Sequence, residues 1–261
     1  MGAEGWEKWA DWHQAVFAPV FEWVLTASGV APGMEVLDLA TGVGNPAIAA
    51  ARRVQPGGRV VAVDVSADML AAASRRARAA GVDNVSFSRM DMHDLRLADA
   101  SFDAVTFSMA LMFSSDPVEV MTEIKRVLRP GGRFALIVWG ERDGNPYFTA
   151  LFEPLARMTG AALPDMFRLG PPGALERVLH LAGFDDVTVE SRPLVVDFDS
   201  ADQYWRIFGD MATVVGDAIA TLTPADLDRL RAAVSDALAP HVVDGRVRLP
   251  ATPLCATGRR P

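Results

Sequence analysis

The sequence predicts an α/β protein built on a mostly parallel sheet. Short apolar runs recur at residues 34–39, 59–65, 85–90, 102–111 and 134–139, with helical patterns between them. Continuous apolar runs are what strands buried on both faces require, and their alternation with helices is the mark of a parallel sheet. The first run ends in a glycine turn that opens a helix. Half of the 261 residues are apolar, enough for one large core or a domain with a lid.

Trp6, Trp9, His13, Val16, Phe17, Val20, Phe21 and Val24 recur at helical steps. They predict an amphipathic helix, bent or restarted near Pro19, whose plain role is packing. His13 is the one titratable group on its apolar face, a satisfied core histidine or a base.

Met34 to Leu39 reads as a strand. Gly42 and Gly44 come next, where the backbone can take positive φ or approach a ligand closely. Asn45 suits an N-cap and Pro46 a first helical residue, so a helix runs over 47–54 to Pro56-Gly57-Gly58. Strand, glycine turn and helix present free amides and a helix N-terminus to an anionic or nucleotide ligand. The second strand, 59–65, ends in Asp64, where a carboxylate can accept both hydroxyls of a ribose. Gly42-x-Gly44-x-x-Ala47 with Asp64 also fits the dinucleotide fingerprint, so two nucleotide cofactors remain open on these residues. Ser66 caps the next helix, closed by Gly81. Met69, in its first turn, is placed for a purine face or for the core.

The third strand, 85–90, leads into Asp91-Met92-His93-Asp94. The fourth, from Phe102, exits through Ser108, Met109, Leu111, Met112 and Phe113. Asp116-Pro117 starts a helix to Leu128, and a Pro-Gly-Gly loop precedes the strand 134–139. Next come helices over 147–158 and 173–182, a strand over 184–189, and a segment 193–198 that continues or pairs with it. Helices over 203–222 and 223–238 precede a last strand at 247–257, where Pro250 and Pro253 suggest a sheet edge. Tyr147, Phe148, Phe152, Met158, Met166, Phe167, Trp205, Phe208 and Met211 enrich this half in aromatics and methionine. Helix packing accounts for most of them; any that face a pocket imply an apolar small molecule.

The net charge of −8 argues against a broad grip on nucleic acid. Cys255 is the one cysteine, which excludes an internal disulfide and a cysteine metal cluster. No apolar run approaches a membrane span, and the N-terminus lacks a signal-peptide pattern. These features predict a cytoplasmic protein with no membrane or metal partner. Lys8 and Lys125 are the only lysines among 25 basic residues, a bias that suggests a GC-rich bacterial genome.

Asp38-x-Ala40-x-Gly42-x-Gly44 resembles the first motif of class I S-adenosylmethionine (SAM) methyltransferases, with Ala40 where that family's first glycine stands. Asp64, Asp91, Ser101-Phe102-Asp103 and Leu128-Arg129-Pro130-Gly131-Gly132-Arg133-Phe134 give four further matches in family order. The resemblance is specific over roughly residues 30–140 and is closest to the ubiquinone/menaquinone-biosynthesis C-methyltransferase group. It implies a Rossmann-like three-layer sandwich: a seven-stranded, mostly parallel sheet with an antiparallel last strand, N-terminal helices and a helical lid insertion. Within a single domain over 1–261, it divides the chain into a cap (1–29), a SAM-binding core (30–140), substrate-side helices and lid (141–245) and a last strand (246–261). The cofactor implied is SAM. Asp38, Ala40, Thr41, Gly42 and Gly44 would cradle its methionyl part and Asp64 its ribose. Val65, Met69 and Met92 would line the adenine, Asp91 would contact its amine, and Ser108 would lie near the transferred methyl. The implied activity is in-line methyl transfer to a small, fairly apolar acceptor, natural-product-like or quinone-like. His13, His180, Glu153 and Asp210 are candidate bases, and no catalytic residue is assigned among them. Cyclisation or isomerisation on the same fold, methylation of nucleic acid or protein, and a dinucleotide-dependent reductase are the competing readings.

Overall fold

The computed structural model describes residues 3–160 and 163–261; the first two residues of the expected cap and residues 161–162 of the expected lid lie outside them. In the first half, the apolar runs form strands and the segments between them form helices. Helices α1 (Ala3–Lys8) and α2 (Ala10–Ala27) come first. After them are β1 (Glu35–Leu39), α3 (Asn45–Arg53), β2 (Arg59–Asp64), α4 (Ala67–Ala79), β3 (Val85–Arg89), β4 (Phe102–Ser108), α5 (Pro117–Val127) and β5 (Leu128–Trp139). The second half adds α6 (Pro146–Thr159), α7 (Ala174–Leu181), β6 (Thr188–Ser191), β7 (Leu194–Phe198), α8 (Ala201–Met211), α9 (Thr213–Ala220), α10 (Pro224–Leu238), β8 (Val242–Val243), β9 (Arg246–Ala251) and β10 (Pro253–Arg259).

The main sheet has the order β3-β2-β1-β4-β5-β10-β6. Strands β1 to β5 are parallel, and β10 runs antiparallel between β5 and β6. This is the seven-stranded Rossmann-like sheet with an antiparallel last strand. Strand β1 sits at its centre: Val36, Leu37, Asp38 and Leu39 are all buried, and Leu37 pairs with Val61 on one side and Val105 on the other. The chain runs from β1 toward β3 on one side and from β4 outward on the other. That reversal beside β1 is a topological switch point, where open α/β sheets form their ligand crevice at the carboxyl ends of the strands.

Several expectations are corrected. The N-terminal helix breaks at Trp9, and α2 runs through Pro19. The cap of α3 is Gly44, in the left-handed region at φ +85°, because Asn45 spends its side chain elsewhere. The Pro-Gly-Gly loop lies within β5, absorbed by a bulge that shifts the register between Phe102/Leu128 and Ala104/Arg133. The strand expected at 184–189 falls at Thr188–Ser191. Segment 194–198 neither continues nor pairs with it. It joins β9 and β8 in a separate antiparallel sheet of order β7-β9-β8. The last strand is two strands, because Thr252 turns the chain between β9 and β10. Its carbonyl accepts from the Gly140 amide at 2.8 Å, and its own N–H donates to Asn145 Oδ1 at 2.9 Å. Pro250 has a neighbour on one side only, since β8 covers just Arg246 and Val247, a position that tolerates the missing donor. The region 203–222 is two helices, not one.

Candidate functional site

A cavity of about 810 Å³ opens at the carboxyl ends of β1, β2, β3 and β4. Ten of the eleven residues singled out in the sequence line it: Asp38, Ala40, Thr41, Gly42, Asp64, Val65, Met69, Asp91, Met92 and Ser108. Gly44 does not. An added Cβ there would meet Ala73 Cβ at 3.0 Å and Ile48 Cδ1 at 3.4 Å, so Gly44 lets α4 pack against the start of α3. An added Cβ on Gly42 would meet no protein atom within 4 Å. Gly42 (φ +54°) thus leaves its wall bare to a ligand, and Ala40 holds φ +51° in the same turn.

Asp64 ties the turn to the next helix. Its Oδ2 accepts from the Gly42 amide and its Oδ1 from the Ser66 amide, each at 2.9 Å. Each oxygen keeps a further lone pair. Ser66 then caps α4 by accepting from the Met69 amide at 3.3 Å, which sets Met69 in the wall. Asp91 accepts at Oδ1 from the His93 amide (2.9 Å) and from His93 Nδ1 (2.8 Å). These two bonds hold its carboxyl below the usual carboxylate range.

The floor is unusual in what it leaves unpaired. Asp38 is 1% exposed; its Oδ1 accepts from the Thr106 hydroxyl at 2.6 Å, while Oδ2 is buried with no partner at hydrogen-bond distance, the Thr41 side chain and the Ala47 amide being its polar neighbours. Thr41 Oγ1, Ser108 Oγ and Trp6 Nε1 are likewise buried and unpartnered, and all four residues line the cavity. Unsatisfied buried polar groups cost about 1–3 kcal/mol each. Their clustering in one cavity marks a site that a polar ligand completes.

The N-terminal helices reach this cavity through Trp6, His13 and Phe21, so α2 is both a packed helix and part of the wall. Arg76 donates to Val43 O and to Asn45 Oδ1, both at 2.6 Å. That fixes the Asn45 amide, whose Nδ2 faces His13 Nδ1 at 3.0 Å. Nδ1 must therefore accept, and the ring proton sits on Nε2. Burial, assisted by the charge of Arg76, lowers the His13 pKa to about 3. Its one basic lone pair is engaged, so His13 stands as a neutral donor. The other candidate bases lie away from the cavity. Asp210 accepts from Lys8 Nζ and Trp9 Nε1, both at 2.7 Å; Glu153 pairs with Arg142 and Arg157; His180 Nδ1 donates to Phe184 O at 2.9 Å.

Burial also raises the Asp38 pKa to about 6, against the opposing Thr106 bond. The two buried groups then oppose one another. A raised acid pKa gives stability that is lost as pH rises from about 4 to about 6. A depressed histidine pKa gives stability that is lost as pH falls from about 6.5 toward 3. Asp38→Asn removes the first contribution, worth up to about 3 kcal/mol. Its melting temperature is expected to fall more steeply than wild type between pH 6 and pH 4. Parallel melting curves for the two proteins would sink the burial argument for Asp38.

The aromatics of the second half do not line the cavity. Tyr147, Phe148 and Phe208 pack edge-to-face or tilted on one another, with centroids 4.4–5.9 Å apart. The apolar wall instead comes from Phe21, Met90, Met109, Ala110 and Phe113. Of these, Phe113 is 51% exposed, at the exit of β4. The Asn45–His13, Asn45–Arg76 and His93–Ser114 contacts carried no signal in the sequence, since each joins residues far apart in the chain.

This sheet, its switch-point cavity, the acid that ends β2 and Asp91 just beyond β3 have the arrangement of the class I SAM-dependent methyltransferase fold. Residues 31–145 match the family model described as "Methyltransferase domain". The chain is similar to the ubiquinone/menaquinone biosynthesis C-methyltransferase UbiE of Bdellovibrio bacteriovorus, at 38% identity over 126 residues, 48% of this chain and 52% of that protein. It spans about half the length of the curated relatives it matches. Its fold is similar to that of the YcgJ protein from Bacillus subtilis (TM-score 0.63, 19% identity, covering 93% of this chain and 98% of that one). It is also similar to that of the [4+2]-cyclase SpnF (TM-score 0.58, 23% identity, covering 93% and 80%).

SAM is the cofactor of this class, and the cavity fits it. The unpaired groups of Asp38, Thr41 and Ser108, the bare wall at Gly42 and the two open carboxylates suit a ligand with an amino-acid end, a ribose and an aminopurine.

Proposed function

We propose that the protein transfers a methyl group from SAM to a small, fairly apolar acceptor. The observation that carries this reading is one cavity lined by both kinds of group: the polar Asp38, Thr41, Asp64 and Asp91, and the apolar Phe21, Met90, Met109, Ala110 and Phe113. In this reading residues 38–42 hold the methionyl group, Asp64 the ribose hydroxyls, and Asp91 with Val65, Met69 and Met92 the adenine. Ser108 borders the methyl. The cofactor supplies a sulfonium methyl already activated toward a nucleophile. The chain's part is to bind, to align the acceptor in line and to exclude water, which can supply several kcal/mol. Among the described residues no helix is long and apolar enough to cross a membrane, and the acidic balance disfavours nucleic acid. We place the protein in a bacterial cytoplasm.

A second reading, cyclisation or isomerisation without methyl transfer, is supported by the likeness in fold to a [4+2]-cyclase. The chain's relatives include a ubiquinone/menaquinone biosynthesis C-methyltransferase, and its fold neighbours include a [4+2]-cyclase. The test is incubation of the protein with methyl-labelled SAM and a panel of hydroquinone and enol acceptors. Label in an acceptor with matching release of S-adenosylhomocysteine is the expected result. An acceptor rearranged without label transfer would establish the second reading instead.

A further inference from the structure

His93 is the residue of this cavity to which methyl transfer gives no task, yet it is held on both sides. His93 Nδ1 lies 2.8 Å from Asp91 Oδ1, and Nε2 lies 2.8 Å from Ser114 Oγ. An ionised carboxylate only accepts, so Nδ1 carries the proton, and in the neutral ring Nε2 accepts from the Ser114 hydroxyl. The constellation has the connectivity of a serine–histidine–aspartate triad. Ser114 is only 1% exposed, however, and no substrate reaches its oxygen, so a nucleophilic role is excluded.

What the chain of bonds does reach is Asp91. That side chain is 58% exposed and lines the cavity. A carboxylate so exposed would ordinarily sample several rotamers and lose that freedom on binding. Here Oδ1 is used twice, by the His93 amide and by the His93 ring. The ring is in turn anchored on Ser114, whose own N–H donates to Leu111 O at 3.1 Å. The carboxylate is thus fixed before any ligand arrives, with Oδ2 left to accept.

We propose that His93 is a positioning residue for base recognition: the Ser114–His93–Asp91 chain holds Asp91 as the acceptor for the exocyclic amino group of the cofactor's purine. The cavity therefore selects an aminopurine over a purine without that group. A site built to bond a donor rejects the analogue that lacks it, because its own acceptor stays unpaired. The inference rests on the reading of this cavity as the SAM site.

The experiment is calorimetric titration with S-adenosylhomocysteine and with its 6-desamino analogue, purine replacing adenine. Wild type should prefer the adenine ligand by about tenfold or more. His93→Leu should weaken the adenine ligand about tenfold and leave the analogue within about twofold, so that the preference collapses. His93→Asn keeps an N–H near the Nδ1 position and should restore much of the preference. Ser114→Ala should move both ligands in the same sense as His93→Leu but less, and it serves if His93→Leu does not fold. Equal loss of both ligands in these variants, or a preference that survives them, would overturn the role given to His93. Wild type that binds neither ligand would overturn the reading of the cavity itself.

Discussion

Asp64→Ala raises the dissociation constant for SAM and S-adenosylhomocysteine by about 10²- to 10⁴-fold, the largest single loss expected in this site. Two hydrogen bonds from ribose hydroxyls to a carboxylate are worth about 1.5–3 kcal/mol each, which converts to that range. The same carboxylate also pins the amides of Gly42 and Ser66 at 2.9 Å, so alanine loosens the turn as well as removing the ligand's acceptors. Asp64→Asn separates the two contributions. Its amide oxygen keeps one acceptor, and its loss should be the smaller. Calorimetric titration with SAM, S-adenosylhomocysteine and NAD(H) checks this, with melting curves to show that both variants are folded. Wild type that binds NAD(H) and not SAM would make Asp64 the ribose ligand of a reductase and end the methyltransferase reading.

The parts of this molecule legible in the sequence are those whose cause is local. Strand β1 is an apolar run bounded by Gly33 and the 42–44 turn. Asp64 stands where an apolar strand stops, and Ser66 caps the helix after it. Each arises from a pattern within a few residues, and five such patterns in order carried the fold to β5. The remainder depends on contacts between distant residues. Nothing near Asn45 reveals that its amide is taken by Arg76 and His13, so the expected cap failed and Gly44 took the position. Leu194–Phe198 pairs with Arg246–Ala251 across three intervening helices, which no local pattern encodes. Helix packing is the expected role of most second-half aromatics, and composition does not say whether any of them faces a pocket. In the structure Tyr204 is fully buried and donates to Tyr147 O at 3.1 Å, closing that cluster on itself. Asp38 shows the reverse case. A carboxylate in the middle of an apolar strand conflicts with its neighbours, and conflicts of that kind are expected where function overrides packing.

The two glycines of the turn should respond oppositely to the same substitution. Both hold positive φ, +54° at Gly42 and +85° at Gly44, so alanine at either costs about 1 kcal/mol or more of backbone strain. At Gly42 the new methyl group meets no protein atom within 4 Å and stands in the cavity wall. Stability should therefore fall by little more than the strain, while affinity for SAM and S-adenosylhomocysteine falls at least about tenfold, as a ligand pressed to bare backbone is pushed away. At Gly44 the methyl group lands 3.0 Å from Ala73 Cβ, on a helix that cannot withdraw without moving Met69 and the Ser66 cap. Overpacking adds about 1–3 kcal/mol, so the melting temperature should drop by several degrees more than for Gly42→Ala. The folded fraction should still bind the ligand within a few-fold of wild type, since Gly44 is not part of the wall. Melting curves and titrations on the two variants read both axes. If Gly42→Ala binds as wild type does, the ligand does not lie against this turn, and the motif serves the packing of α3 alone.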